Sequence, residues 1–342
     1  MRLLKWLAVI LVLAAGGGWF AVAALIEKGA AAALEDLRAK GTTVESSAPA
    51  VSGFPTEWRL SLSDLRIADP VSGAGWQGPS FSLRADSYAP WHVTASLPDQ
   101  QVITLPGQTI TLQSQGMAVA VGSAPDPDLP LRTLTVTAFD LTAQSDMGWT
   151  LALQAASFAM AADDSRPPGA YLLALELGPL TPDPAFMDRL AQVALPGLPA
   201  PDFPPQVEMA RARIGLRLTA PLDRHTDTTR PQVQAVEITG LDLGWGKLTL
   251  HAEGMVEADA EGYAAGRVML KLTNWDRLPA LLVALGAIKS EIAPTVAGGL
   301  KAMAAQSPDP AVLALALDMK DGRMSLGPFP LGEAPRLRPP QS

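Results

Sequence analysis

Alternation with a period of two is the feature that most restricts the fold of this chain. From Trp58 the order Trp-Arg-Leu60-Ser-Leu62 puts an apolar side chain at every second position, and after Asp64 the pattern resumes as Leu65-Arg-Ile67 on the other parity. The same apolar-x-apolar-x-x-apolar-x-apolar string returns as LTVTAFDL from Leu134 to Leu141 and as VEITGLDL from Val236 to Leu243. Side chains two apart share one face of a strand, so each string predicts a strand with one buried face. The step of three predicts a β-bulge, or a strand that buries first one face and then the other. Each string is followed by Gly-Trp (Gly75-Trp76, Gly148-Trp149, Gly244-Trp245) and then by another alternating run: FSLRA from Phe81, TLALQA from Thr150 and KLTLHA from Lys247. A second echo, Thr-Leu-x-x-x-Gly-Met, occurs from Thr111 to Met117 and from Thr249 to Met255. The Gly-Trp pairs are 73 and then 96 residues apart, too uneven for a solenoid and suited to hairpins built on one theme. Gly and Pro together make 60 of 342 residues, which disfavours a helical bundle.

Few segments read as helix. Thr181–Ala194 has Asp183 as an N-cap, Pro184 in its first turn, and Phe186, Met187, Leu190 and Val193 on one stripe. Five prolines between Pro196 and Pro205 mark the best internal boundary. Asn274 can cap a helix running from Trp275 to about Ile288, and a third helix spans Glu291–Gln306. Asp321-Gly322 between two alternating runs predicts a tight hairpin.

Before all this lie 21 residues without a charge, Trp6 to Ile26, flanked by Arg2 and Lys5 and by Glu27 and Lys28. A helix of that length spans about 31 Å, matching a hydrocarbon layer of about 30 Å. The expected anchor covers residues 1–26, with Trp6, Leu13, Trp19 and Ile26 in it. The rival is a cleaved signal peptide, with Ala21-Val22-Ala23 as the cleavage site and Gly16-Gly17-Gly18 breaking the helix. Either reading leaves the bulk outside the cytoplasm, and with the anchor retained the chain is a single-pass inner-membrane protein, most of it periplasmic. Residues 27–40 then form a helical stalk ended by Gly41.

The expected fold is mainly β with a few helices. An N-terminal transmembrane helix precedes a long, curved, mostly antiparallel sheet built from two related halves. The halves are residues 41–195 and 207–333, with a proline-rich break at 196–206, a helical pair at 274–306 and a disordered tail at 334–342.

The C-terminal third, HAEGMVEADAEGYAAGRVMLKLTNWDRL and later DMKDGRMSLGPFPLGEAPRL, resembles the bacterial family catalogued as domain of unknown function 2125. GFPTEWRLSLSDLRI and APWHVTASLP resemble that family's start. The resemblance covers most of residues 40 to 335, and its glycines, prolines and apolar strand positions imply an architecture without a catalytic set. In layout, one anchor and a long exported sheet, the chain is also similar to AsmA-like envelope proteins, a group associated with phospholipid traffic and outer-membrane assembly. That similarity is an analogy of fold.

Composition narrows the chemistry. A net charge of −8 without any Lys/Arg cluster argues against nucleic acid, and zero Cys excludes disulfides and thiolate sites. No nucleophile elbow, zinc-protease helix, Walker loop or dinucleotide-binding turn is present. Glu257-x-Asp259-x-Glu261-Gly262 starts like a calcium loop, but its twelfth position is Val268 instead of Glu, so a polar turn explains it better. His251-x-Glu253 shares one strand face and lacks a third ligand. Asp126, Asp128, Asp163 and Asp164 fall in proline-rich turns, where solvated carboxylates are ordinary. The chain therefore reads as non-enzymatic, with no cofactor. Trp76, Trp149 and Trp245 either plug a core or face lipid.

Charged residues are only 18%, and few helices are on hand to cover the sheet. A sheet left partly bare exposes an apolar groove, which would be lined by Leu60, Leu62, Val136, Ile238, Leu250 and Leu270. The expected partners are the inner membrane and, in that groove, phospholipid. The alternative is an assembly factor that binds another envelope protein by strand addition.

Overall fold

The computed structural model describes the backbone of residues 2–305, 307, 309–327 and 329–339, and side chains from residue 18 onward except that of residue 329. The protein is mainly β, as the alternation demands, and forms two compact units: Met1–Leu129 with Leu134–Gly148, and Pro130–Thr133 with Trp149–Ser342.

In the first unit α1 (Arg2–Ala39) runs unbroken through the three glycines. At its end the Thr42 N–H donates to the Leu37 carbonyl and the Gly41 N–H to the Arg38 carbonyl, with Gly41 at φ +92°. This is a Schellman stop, which needs a left-handed residue that glycine supplies without strain. The strands are β1 (Thr43–Glu45), β2 (Ala50–Ser52), β3 (Glu57–Ala68), β4 (Gly75–Asp86), β5 (Ala89–Ser96), β6 (Gln100–Leu105) and β7 (Gln108–Ser123). β1 and β2 lie along one side of β3 and β4 along the other. β5 and β6 follow one another as a broken strand between β4 and β7. β8 (Leu131–Ser145) belongs mostly to this unit.

The helix does not stand clear of the sheet. The Trp19 indole N–H donates to the Glu57 carbonyl (3.0 Å), the Val51 N–H to the Glu27 carboxylate (2.8 Å), and Arg38 Nε to the Val44 carbonyl (3.0 Å). Residues 27–39 are thus helical and lie on the β unit. Among the described residues no helix is long and apolar enough to cross a membrane. The side chains of Trp6 and Leu13 lie outside the described residues, and Ile26 is half-buried. Trp19, expected in lipid, is only 6% exposed and is covered by protein.

The second unit is an antiparallel meander. β9 (Thr150–Ala162) pairs with β10 (Ala170–Leu177) and the short β11 (Leu180–Thr181), and α2 (Pro184–Gln192) follows. The ladder continues through β12 (Met209–Leu218), β13 (Val233–Trp245), β14 (Leu248–Ala258) and β15 (Ala264–Thr273), with the short α3 (Thr226–Thr229) between β12 and β13. A 3₁₀ turn at Trp275–Arg277 leads into α4 (Leu278–Ala284) and α5 (Ala293–Ala304). β16 (Val312–Lys320), β17 (Arg323–Leu326) and β18 (Phe329–Glu333) close the ladder.

Asp183 caps α2 as expected, accepting from the Phe186 N–H at 3.0 Å. Asp321 and Gly322, both at positive φ, form the two-residue turn between β16 and β17. Asn274 makes no side-chain cap; its amide instead donates to the Lys247 carbonyl at 2.6 Å. The expected helical pair at 274–306 is shorter than its pattern, ending at Ala304, and Gln306 lies outside the described residues.

Two boundaries are corrected. The proline-rich stretch at 196–206 lies inside the second unit, because Phe203 and the Pro204 carbonyl pack onto Trp245. The tail from 334 is docked through residue 338: Ala334 is 4% exposed, the Ala264 N–H donates to the Pro335 carbonyl, and Arg336 lies 3.9 Å over the Tyr263 ring. Residues 340–342 lie outside the described residues.

Candidate functional site

The step of three in the repeated string has one physical cause with two forms. On β13 the register with β14 jumps from Ile238↔Gly254 to Leu241↔Ala252, so the extra residue at Thr239/Gly240 keeps Ile238 and Leu241 on one face. On β3 and β8 an aspartate in left-handed backbone does the turning, Asp64 at φ 52° and Asp140 at φ 46°. Leu62 and Leu65 are consequently both buried. In the second copy the inward residue before the step is Ala138 (3% exposed), while Phe139 turns outward (52% exposed), so the step runs from Ala138 to Leu141 and not from Val136 to Phe139.

The bulge allows the second unit to present one uninterrupted apolar face. Following the paired residues across the ladder gives Phe158, Leu175, Ala212, Leu241, Ala252, Leu270 and Leu315, one from each of β9, β10, β12, β13, β14, β15 and β16. The adjacent row reads Met160, Leu173, Ile214, Ile238, Gly254, Val268 and Leu317. The next reads Ala156, Leu177, Ala210, Leu243, Leu250, Leu272 and Leu313. With strands about 4.8 Å apart, six steps make each row about 29 Å long.

The opposite face is polar and laced with ion pairs: Arg217–Glu257 (2.7 Å), Arg166–Glu237 (2.8 Å), Arg211–Glu176 (3.8 Å) and Arg267–Asp318 (2.5 Å). Such exposed pairs stabilise little, but they fix which side faces water.

Covering of the apolar face is uneven. Over β14–β16, Leu272, Leu313 and Leu315 are buried with Trp275, Leu300 and Ala304, and Leu250 and Leu270 pack against that cluster. A second cluster joins Ala252, Val256, Val268 and Met319 to Ala334 of the tail. Trp245, Leu248, Leu190, Ala280 and Leu281 form a third beneath α2 and α4. Towards β9, β10 and β12 the same face is less filled. Phe158, Leu173, Ile214 and Leu241 are half-buried there, and Leu175 is 37% exposed.

The six residues expected to line a groove divide between the units. Ile238, Leu250 and Leu270 all lie on this face, half-buried. Leu60 and Leu62 are filled core (8% and 5% exposed), with Leu34 and Leu37 of α1 packed on the cluster that holds Leu62; a groove lining is corrected for both. Val136 is half-buried on β8 of the first unit. Phe158, Leu173, Leu175 and Ile214 were missed. The signal for the last was local: MARARIGLRL on β12 alternates as cleanly as any string in the chain.

The tryptophans after glycine do different things. Trp245 is a plug, 5% exposed, donating to the Pro204 carbonyl at 2.8 Å with the Phe203 ring 4.5 Å away. Trp76 is half-buried and donates to Gln101 Oε1 at 2.9 Å. Trp149 is half-buried.

The titratable groups singled out in the sequence sit in turns and on the polar face. Asp163 accepts from the Ser165 hydroxyl and N–H, which holds its carboxyl below the usual carboxylate range. Asp164 is clamped by two N–H donors of Arg132 and is likewise lowered, chiefly by that bond. Asp126 accepts from the Asp128 N–H within its turn. His251 contacts Asp242 at 2.7 Å and Glu253 at 3.9 Å on the solvent side. Among the described residues no group of three or more His, Asp or Glu could hold a metal ion. A cavity of about 600 Å³ beside Tyr263, Lys320, Arg323 and Glu333 carries charges of both signs and lies outside the apolar rows.

The family described as "Uncharacterized protein conserved in bacteria (DUF2125)" matches residues 19–335. No curated protein and no solved structure matches the chain.

Proposed function

This chain belongs to the DUF2125 family of bacterial proteins, and from its two-faced sheet we propose that it is a membrane-anchored envelope protein without catalytic chemistry that seats lipid acyl chains on the apolar face of its second unit. The uncharged run from Trp6 to Ile26 supplies the anchor, with the bulk of the chain on the periplasmic side. The observation that carries the reading is the run of apolar rows across β9–β16, closed over β14–β16 and half-open at Leu175, Ile214 and Leu241. The chains of one bilayer leaflet span about 15 Å, half the hydrocarbon layer, so a row of about 29 Å has room for an acyl chain along the sheet. Each methylene so buried contributes about 0.8 kcal/mol before ordering costs. Strand addition needs a bare edge, and β18 offers a poor one: it is five residues long and contains Pro330 and Gly332.

The test compares two leucines on opposite faces of β10. Leu175 is on the apolar side, and Leu172, 50% exposed, pairs with Gly215 on the polar side. Phospholipid co-purifying with the full-length protein extracted in detergent is quantified per chain for wild type, Leu175→Asp and Leu172→Asp. The reading expects a stoichiometric loss for Leu175→Asp alone, with far-UV circular dichroism unchanged. Equal lipid content in all three would defeat it.

A further inference from the structure

One rim of the first unit gathers exposed aromatic side chains from three separate segments. On α1, Trp19 packs edge-on against Phe20 (5.1 Å) and against Phe54 of the β2–β3 loop (5.5 Å). Phe20 and Phe54 stack at 5.4 Å with their planes 15° apart. The β4–β5 turn is tied to the same loop, the Ser87 N–H donating to the Thr56 carbonyl at 2.9 Å, and it carries Tyr88. Trp19 is buried by these contacts, yet Phe20 is 61% exposed, Phe54 51%, Tyr88 75% and, five residues beyond Phe20 on the helix, Leu25 68%. Just inside the rim, Arg59 and Arg84 flank Glu57 at 2.6 and 3.7 Å and remain about half exposed. Aromatic side chains at a boundary with basic residues behind them are the composition that suits the headgroup layer of a bilayer.

The β unit begins to cover α1 at Trp19, while the uncharged run continues to Ile26, seven residues and about 10 Å further along the axis. The headgroup layer on each side of the hydrocarbon is only about 5–7 Å thick. A helix whose uncharged run sits in the apolar layer therefore carries the Phe54 loop and the Tyr88 turn at least as deep as the headgroup layer.

We propose that this aromatic rim is a membrane-contact surface, immersed to at least headgroup depth in the bilayer that α1 enters, so that the first unit is seated on the membrane and not held away from it. The proposal rests on the anchor reading given above, and its occupant is the phospholipid interface.

The chain has no cysteine, so single-cysteine variants of the full-length protein take a nitroxide label at one place only. Tyr88→Cys reports the rim. Val71→Cys, 94% exposed at the far end of the β3–β4 pair, lies about 35 Å away along the strands and reports solvent. Ile10→Cys reports the anchor. The variants are reconstituted into vesicles of phosphatidylethanolamine and phosphatidylglycerol, and collision rates with oxygen and a water-soluble nickel chelate are measured. The expected result is an oxygen-to-nickel ratio several-fold higher at position 88 than at position 71. A solvent-like label at 88 with a membrane-buried label at 10 would overturn the proposal and leave the anchor standing. Solvent-like labels at both 88 and 10 would remove the anchor and the proposal together. Dipolar broadening between labels at 88, shielded from both reagents, would assign the rim to a second copy and equally overturn it.

Discussion

Replacing Trp245 by alanine tests whether the tryptophans after glycine can be packing elements instead of ligand contacts. Its indole is 5% exposed, packs against Phe203 at 4.5 Å and Phe186 at 6.4 Å, and donates to the Pro204 carbonyl at 2.8 Å. Truncating a buried tryptophan costs about 3–5 kcal/mol in transfer and cavity terms. The Pro204 carbonyl, left without its donor, adds about 1 kcal/mol or more. With a urea slope of about 3 kcal/mol/M, the upper end for small proteins, a combined loss of about 5 kcal/mol moves the unfolding midpoint of the second unit down by about 1.7 M. Trp245→Phe keeps most of the ring and loses the N–H, so its shift should be less than half as large. Urea titration followed by far-UV circular dichroism reads both. A midpoint for Trp245→Ala within about 0.3 M of wild type would mean that the indole is not core, and the reasoning that fixes α2 and the proline-rich stretch to the sheet end would fail with it.

Two further outcomes follow from the same geometry. A Cβ on Gly266, at φ +146°, would lie 2.2 Å from the Met255 carbonyl oxygen, whereas one on Gly244 has nothing within 4 Å. Gly266→Ala should therefore lower the yield of folded protein sharply and Gly244→Ala should not; similar thermal midpoints for the two would contradict the close approach of β14 and β15. Asp183 has its pKa lowered, chiefly by the Thr150 N–H and also by the Phe186 N–H, while burial acts the other way. A depressed carboxyl contributes stability present above the unfolded value of about 3.9 and lost as pH falls through the folded one. Hydrogen exchange at the Phe186 amide, corrected for intrinsic rate, should lose protection only in that acid window. Asp183→Asn should abolish the pH step, and a wild-type amide with pH-independent protection would refute the cap's role.

Features set by neighbouring residues were legible in the sequence. The Asp321-Gly322 turn follows from two adjacent residues that tolerate positive φ, and the Asp183 cap from its place three residues before Phe186. Alternation likewise put Ile238, Leu250 and Leu270 on one face, since each strand decides its own parity. What could not be read locally is which strands stand side by side. Leu175 joins the apolar row only because β10 pairs with β9 on one side and β12 on the other, a register set over distances no periodicity records. Leu60 and Leu62 alternate as well as Ile238 does, yet the unit that holds them is covered by α1. An uncharged helix looks the same whether lipid or protein covers it, so the docking of Trp19 left no mark beyond its polar indole N–H. The tail misled for the opposite reason: prolines and arginines suggest solvent, but Arg336 stacks on Tyr263 and Leu337 packs on the core beside Ala264.

Whether acyl chains occupy the apolar face and not the polar one can be read by crosslinking in living cells. A photoreactive phenylalanine analogue is placed at Leu175 or at Leu172 of the full-length protein, cells are grown with radioactive phosphate, and the purified protein is examined for covalent phospholipid after irradiation. A radioactive adduct is expected from position 175 and none above background from position 172. Equal labelling at both positions, or labelling at 172 alone, would contradict the seating of acyl chains on the apolar face.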